Sequence, residues 1–481
     1  MEGMKHCFGR GLGVFVLLSL AGPPVWATCG GGGGGGTGGM GGSGQMLEEV
    51  YQVPWKVPAA GAAVPSEGLV LYWFPSSADE VRRSSLRVSR TLSLYASQCV
   101  ALQLAGAASA AGRQFDVGRR LPVVVLATAA GELLGRVDNS AGMLKVGDVE
   151  RLLQVELKRR ESALEQQLNE ARGKARAGDG AAAAELLRGV AGERCLFPKK
   201  AKDAARELEK LGQHVDEKAG ELDAPAPVFE AKASARIADV MRRGLRAERA
   251  ARYQAAARRY DEAARLDPAD PTPLRYLGEL HRHHTGEWDK ARPLFARILA
   301  MRADPLSRAV AQHGLGKITI HEGDFARGLA LFEASLASFP LALTYRNLAV
   351  YWNSEGDAAR TAQYVDAALK LDPSDPYNRV FAAVFMAQAG REDEALAVAR
   401  ENEGLLPASY NLAAIHAQAG ERDAALALLK RHFYEYERYQ AVRAKEMMEA
   451  RVDAVFLSIR KDPAFVSLTA EADGMLPVPM N

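Results

Sequence analysis

Long apolar runs are almost missing from this sequence. The longest near the N-terminus covers about residues 12–21, far short of the roughly 20 apolar residues that a membrane-crossing helix needs. Net charge is nearly absent as well. The 61 Lys and Arg residues against 59 Asp and Glu leave +2, so no global field points to nucleic acid or a membrane surface as partner. Arg242, Arg243, Arg246, Arg249 and Arg252 do cluster, but beside an alanine-rich face they read as a solvated helix surface. Cysteine is scarce, with only Cys7, Cys29, Cys99 and Cys195. No two of them have the close spacing of a zinc site or a dithiol motif. Cys99 and Cys195 can pair in an oxidising compartment; two buried thiols are the expected state. Nucleophile elbows, phosphate loops and His-Glu zinc helices are all missing, so no catalytic residue, cofactor or metal is expected. His281, His283 and His284 stand close together, and near a helix end they read as a solvated turn.

What is present is ordinary for folded protein: 48% hydrophobic and 25% charged residues in a chain of 481, long enough for two or three cores. Lys5 and Arg10, the apolar stretch 12–21 and Val25-Trp26-Ala27 read as an export signal over residues 1–29. Cleavage after Ala27 competes with lipidation at Cys29, the chain's one candidate for membrane attachment. Trp26 and Thr28 depart from the lipoprotein signal pattern. Residues 30–46 are a glycine-rich flexible linker. The expected location is outside the cytoplasm: periplasmic, outer-membrane-associated or secreted.

Residues 47–157 alternate strand-like and helix-like stretches. Strands are expected at 68–74 (GLVLYWF), 100–104, 121–126 (LPVVVL) and 132–137, with helices over 78–95 and from near 147. Such interleaving argues for a small α/β domain. This order, with LPVVVL-x5-GELLGRV, resembles the thioredoxin fold. In that family a proline, usually cis, opens the strand before the final hairpin, and Pro122 stands in that place. The family's Cys-x-x-Cys pair is missing, since Trp73-Phe74-Pro75-Ser76-Ser77-Ala78-Asp79-Glu80 holds no cysteine. A serine hydroxyl supplies neither the thiolate nor the disulfide that exchange requires, so the resemblance implies a redox-inactive domain. Residues 158–228 read as a helical connector, broken by the prolines of 223–228.

A repeat dominates the rest. Pro268, Pro305, Pro340, Pro373 and Pro407 recur at steps of 37, 35, 33 and 34, and Gly286, Gly323, Gly356, Gly390 and Gly420 fall between them. Each glycine is expected to end a first helix in the left-handed conformation, and each proline to close a second helix. Five residues after the glycines stand Ala291, Gly328, Thr361, Ala395 and Ala425, small enough for a close helix crossing. Period and strings resemble the tetratricopeptide repeat. Six units are expected, at 237–270, 271–305, 309–341, 342–375, 376–405 and 406–434, with Ala251 replacing the first turn glycine. The array occupies 229–434, and capping helices and a tail follow over 435–481.

The fold class is thus an α/β thioredoxin-like domain followed by an all-α tetratricopeptide superhelix. The second resemblance implies a concave groove lined by Arg275, Glu279, Arg282, His313, Lys317, Arg346, Asn353, Tyr377, Val380, Val384, Tyr410 and Ala414. That groove would be cationic at one end and aromatic or apolar at the other, suiting a segment with acidic residues and apolar anchors. The carboxylate-clamp set of some tetratricopeptide domains is not reproduced. The expected function is that of an exported, non-catalytic adaptor for a protein or peptide partner. The alternatives are a structural subunit of an envelope complex and, less favoured, a thiol–disulfide oxidoreductase using Cys99 or Cys195.

Overall fold

The computed structural model describes residues 50–57, 67–118, 120–138, 144–213, 225–437 and 439–470. Among these no helix is long and apolar enough to cross a membrane. The expected export signal, Cys29, the glycine-rich linker and part of the proline-containing break lie outside the described residues.

Four strands make one mixed sheet: β1 (Leu69–Phe74), β2 (Val100–Leu104), β3 (Val123–Thr128) and β4 (Leu133–Val137), in the order β2-β1-β3-β4. β1 is parallel to β2 and antiparallel to β3, and β4 is antiparallel to β3. Leu69, Leu71 and Trp73 pack into one core while Val70, Tyr72 and Phe74 pack into another. Burial on both faces explains why β1 is an unbroken apolar run. The single helix expected over 78–95 is instead α1 (Ala78–Arg83), a 3-10 turn at Ser85–Arg87 and α2 (Arg90–Ala96). Ser84 and Ser89 each accept a backbone N–H and start the chain afresh. A short α3 (Ala110–Gln114) precedes β3, and the Leu121–Pro122 peptide bond is cis. Phe74 pairs with Val123 and Leu69 with Val100. Pro122 therefore lies just past one end of β1 and Cys99 just past the other, roughly 23 Å apart along the strand at about 3.3 Å per residue.

α4 (Val146–Arg176) is a continuous helix of 31 residues, so the expected boundary at 157/158 falls within one element. α5 (Gly180–Gly192) and α6 (Pro198–Lys210) pack on it through Leu164, Leu168, Leu187 and Leu208. Cys99 and Cys195, expected as two thiols, are joined in a disulfide with a Cα–Cα separation of 5.8 Å. The bond ties the sheet to the turn between α5 and α6. A partner 96 residues away leaves no local signature.

Six helical hairpins follow. The first three are α7 (Ala231–Arg249) with α8 (Tyr253–Leu266), α9 (Pro271–Glu279) with α10 (Trp288–Ala300), and α11 (Pro305–His321) with α12 (Phe325–Ser338). The others are α13 (Ala342–Ser354) with α14 (Ala358–Leu371), α15 (Pro376–Gln388) with α16 (Glu392–Glu401), and α17 (Ser409–Gln418) with α18 (Arg422–Arg431). Pro268, Pro340 and Pro373 follow second helices, but Pro305 opens α11 behind its cap Asp304. The third hairpin accordingly begins near 305 and not at 309. Phe295 is the wedge between hairpins two and three. A Cβ on Gly278 or Gly314 would lie 2.5 or 2.4 Å from its ring carbons, so neither position can carry a side chain without repacking.

The five turn glycines have φ between +66° and +92°, and Ala251 adopts +55° in their place. An L-residue pays about 1–2 kcal/mol for that conformation, and glycine loses about 0.4–1 kcal/mol through its freer unfolded chain. Ala251→Gly should therefore stabilise the array by about 0.5–1 kcal/mol, read as a higher urea midpoint with an unchanged slope.

Candidate functional site

After α18 the chain makes a π turn at His432–Tyr436 and then forms α19 (Gln440–Val452) and α20 (Pro463–Thr469). α20 stacks on the last hairpin: Arg422 Nη2 donates to Asp462 Oδ1 at 2.9 Å, and Phe465 is buried beside Phe456. α19 does something else. It crosses the hollow of the superhelix, back toward the first hairpins.

Its contacts define that crossing. The Lys445 ammonium sits 3.3 Å from the ring centre of Trp288. Val442 packs against the α9–α10 turn, where a Cβ on Gly286 would meet its Cγ2 at 3.3 Å. Tyr439 packs on Tyr253 with ring centres 5.3 Å apart, and the Tyr436 hydroxyl approaches His283 Nε2 at 3.4 Å. At the far end Tyr410 of α17 donates to Asp453 Oδ2 at 3.0 Å. Beneath α19 lies a cavity of about 190 Å³, walled by Arg282, Trp288 and Lys317 on the array and by Lys445, Glu446 and Glu449 on the helix.

Charge is buried here, and the titrations shift as burial dictates. Loss of solvent pushes Glu437 and Glu449 up to about 8, with Lys317 opposing the shift at Glu449, and pushes Asp453 up to about 6. It draws Lys445 down, His432 down to about 4, and His283, His313 and His321 below the usual histidine range.

The residues projected onto an open groove occupy several environments. Arg282 and Lys317 line the cavity, and Lys317 Nζ donates to Asn347 Oδ1 at 3.3 Å. Glu279 is a buried partner of Arg282, at 2.7 Å. Arg275 is buried with its guanidinium 5.6 Å from the Tyr276 ring centre. His313 belongs to the packing between hairpins, bonded to Thr344 at 3.0 Å and stacked on Phe332. Arg346 lies over Tyr377 at 4.6 Å and bonds Asn378, while Asn411 donates to the Tyr377 hydroxyl at 3.1 Å. Val380, Val384 and Ala414 are core residues, and Asn353 is half-buried. Six of the projected polar and aromatic residues (Arg275, Glu279, His313, Arg346, Tyr377 and Tyr410) are less than 10% exposed. The projected residues are thus divided between the cavity beside α19, which takes Arg282 and Lys317, and the packing of the hairpins.

The histidine triplet also departs from a solvated turn. Leu280–His284 is a π turn in which His281 contacts Glu287 at 2.9 Å and His284 stacks on Tyr253 at 4.7 Å. Sequence reasoning missed α19 as an occupant, and with it Tyr439, Val442, Lys445, Glu446 and Glu449. Its amphipathic pattern marks a helix but carries no sign of where that helix docks.

Residues 241–307 and 320–376 match the tetratricopeptide repeat family. Among solved structures, a tetratricopeptide repeat protein from Parabacteroides merdae is 16% identical over 60% of this chain and 99% of its own, with a TM-score of 0.33. YrrB, described as a TPR protein with an unusual peptide-binding site, is 20% identical over 36% of this chain and 90% of its own, with a TM-score of 0.24. Yeast Tom70 is 16% identical over 67% of this chain and 64% of its own, with a TM-score of 0.30. No curated protein matches the chain. Residues 241–307 and 320–376 are thus tetratricopeptide repeats, and they belong to a superhelix of helical hairpins that stands beside a small four-stranded mixed sheet.

Proposed function

We propose that this protein is an exported, non-catalytic adaptor whose tetratricopeptide groove receives an amphipathic segment of a protein partner, α19 holding the place in the free chain. Tetratricopeptide proteins are generally protein-interaction adaptors, and the crossing of α19 is the observation that carries the reading here. It is a helix that brings Glu446 and Glu449 to the cavity shared with Arg282 and Lys317, with Val442 as an aliphatic anchor. A partner segment of the same chemistry, acidic with apolar anchors, would replace it.

The sheet region on this reading is a thioredoxin-like domain, supported by the strand order and by Pro122 standing immediately before β3. Its redox pair is gone, and the Cys99–Cys195 disulfide sits at the opposite end of β1 from Pro122, which disfavours an oxidoreductase. The disulfide fits an oxidising compartment and so an export signal at 1–29, with Cys29 as the lipidation candidate.

The test is capture of partners from envelope and secreted fractions, with the chain as bait. Val442→Asp should loosen α19 and raise capture several-fold, Lys317→Glu should reduce it, and a peptide of residues 439–453 should compete. Circular dichroism controls for folding. Capture that is indifferent to both variants and to the peptide would remove the groove from the mechanism.

A further inference from the structure

The π turn behind α18 holds a buried polar cluster, whose His432 packs edge-on against Tyr410 of α17 with ring centres 5.3 Å apart. The Glu437 N–H donates to the His432 carbonyl at 2.9 Å, an i to i+5 closure that stacks the two residues on one side of the turn. Glu446 arrives from α19 and its Oε2 touches His432 Nε2. One ligand atom from each of His432, Glu437 and Glu446 lies within 4.8 Å of the other two. The residues are 0%, 3% and 4% exposed.

Two carboxylates buried beside one imidazole pose an electrostatic problem. Two ionised carboxylates and one imidazole cannot balance in a medium that solvates charge poorly, so without a cation one carboxyl must keep its proton. A divalent cation compensates both and leaves the imidazole neutral. One imidazole nitrogen and two carboxylate oxygens form a borderline donor set that Zn²⁺ accepts, a water completing four-coordination. The ring's other nitrogen, Nδ1, is buried without a hydrogen-bond partner. The polar contact of the imidazole is therefore made on the carboxylate side. A plain His432–Glu446 hydrogen bond would account for two of the three residues and leave no role for Glu437.

We propose that His432, Glu437 and Glu446 form a divalent transition-metal site, best filled by Zn²⁺, that fastens α19 to the last hairpin. The site goes beyond the adaptor reading: in the free chain the ion would secure α19 against the last hairpin, and its binding does not require that a partner exist.

The experiment uses the full chain without a histidine tag, stripped by chelator and dialysed against Zn²⁺, with bound metal measured by elemental analysis. Co²⁺ provides a second readout through its visible d–d absorption. One equivalent is expected. Glu437→Gln, Glu446→Gln and His432→Gln should each weaken binding at least about a hundredfold, since even residues that only support a ligand are worth 10–100-fold. His283→Asn should bind as the parent does. Zinc should also slow tryptic cleavage after Arg443 and Lys445 on α19. Where His432→Gln fails to fold, the two glutamine-for-glutamate variants, which keep size and shape, carry the test. Folded parent chain with well under one equivalent of zinc and no cobalt bands would overturn the proposal. So would stoichiometric binding that persists unchanged in folded Glu437→Gln and Glu446→Gln. Partner capture by metal-free chain reports on the adaptor reading separately.

Discussion

Replacing Arg90 by methionine should destabilise the protein by about 3–5 kcal/mol, the usual result of leaving buried charge unpaired. Arg90 lies on α2, and its side chain is 4% exposed between the carboxylates of Asp267 and Asp270, both at 0%. Its Nε donates to Asp270 Oδ2 at 3.0 Å, and Nη1 donates to the Val228 carbonyl at 2.8 Å and to Ser234 Oγ at 2.7 Å. Nη2 bonds Asp267, which also accepts the Val228 N–H at 3.0 Å. Tyr51 adds a bond to Asp270 Oδ2 at 2.8 Å. One guanidinium thus closes the sheet region, the 225–230 segment and the α8–α9 turn onto one another. Arg90→Met removes the cation and keeps its bulk, so the loss comes from the two stranded carboxylates and not from a cavity. The check is a urea titration followed by sheet and helix signals separately. Adding Asp267→Asn and Asp270→Asn should recover part of the loss, because asparagine can still cap α9 while removing the buried charge. If Arg90→Met alone costs under about 1 kcal/mol, the clasp behaves as an exposed pair does and the docking rests on apolar contacts such as Tyr95 on Phe229, with ring centres 4.6 Å apart.

The second large effect is expected at the disulfide. Closing a loop of this length restricts the unfolded chain by up to about 4.7 kcal/mol in the entropic account, and measured values of about 2–4 kcal/mol are typical. Cys99→Ser should therefore lower unfolding stability by about 2–4 kcal/mol. Reductant should lower the urea midpoint of the parent chain to that of the variant and leave the variant unmoved. Arg302 of the array reaches the same place, donating to the Arg194 carbonyl at 3.1 Å. Loss of the bond should consequently loosen the connector from the array as well, seen as faster amide exchange in α5 and α6. A parent chain that ignores reductant would show that the two thiols are not joined.

Legibility from the sequence followed the range of the interaction. Gly286, Gly323, Gly356, Gly390 and Gly420 announce the hairpins because a left-handed turn is a requirement on one residue, met where it stands. Ala251 could be placed in the same register because the period survives one exception. The four strands were legible from their apolar runs, within two residues at either end. The break between α1 and α2 was not, because a serine in a polar stretch fits a helix surface as well as a cap, and only the folded backbone shows Ser84 and Ser89 accepting the N–H groups of Leu86 and Leu92. Of the projected groove residues, Arg282 and Lys317 face the cavity, while His313 and Tyr377 point into contacts with adjacent hairpins. A position on a helix face does not say which of its two neighbours the side chain will meet.

The sequence by itself determined the repeat, its count of six hairpins, the strand-and-helix order of the first folded region and the absence of a Cys-x-x-Cys pair. Each is a local or periodic property, and periodic signals reinforce one another along the chain. Only the tertiary structure decided that Cys99 meets Cys195, that Arg90 is enclosed by Asp267 and Asp270, and that α19 reaches Trp288 and Gly286 of the array and brings Glu446 to His432. These contacts join residues from 14 to 180 positions apart. Their partners are chosen by shape and buried charge in the folded molecule, which no spacing in the chain encodes.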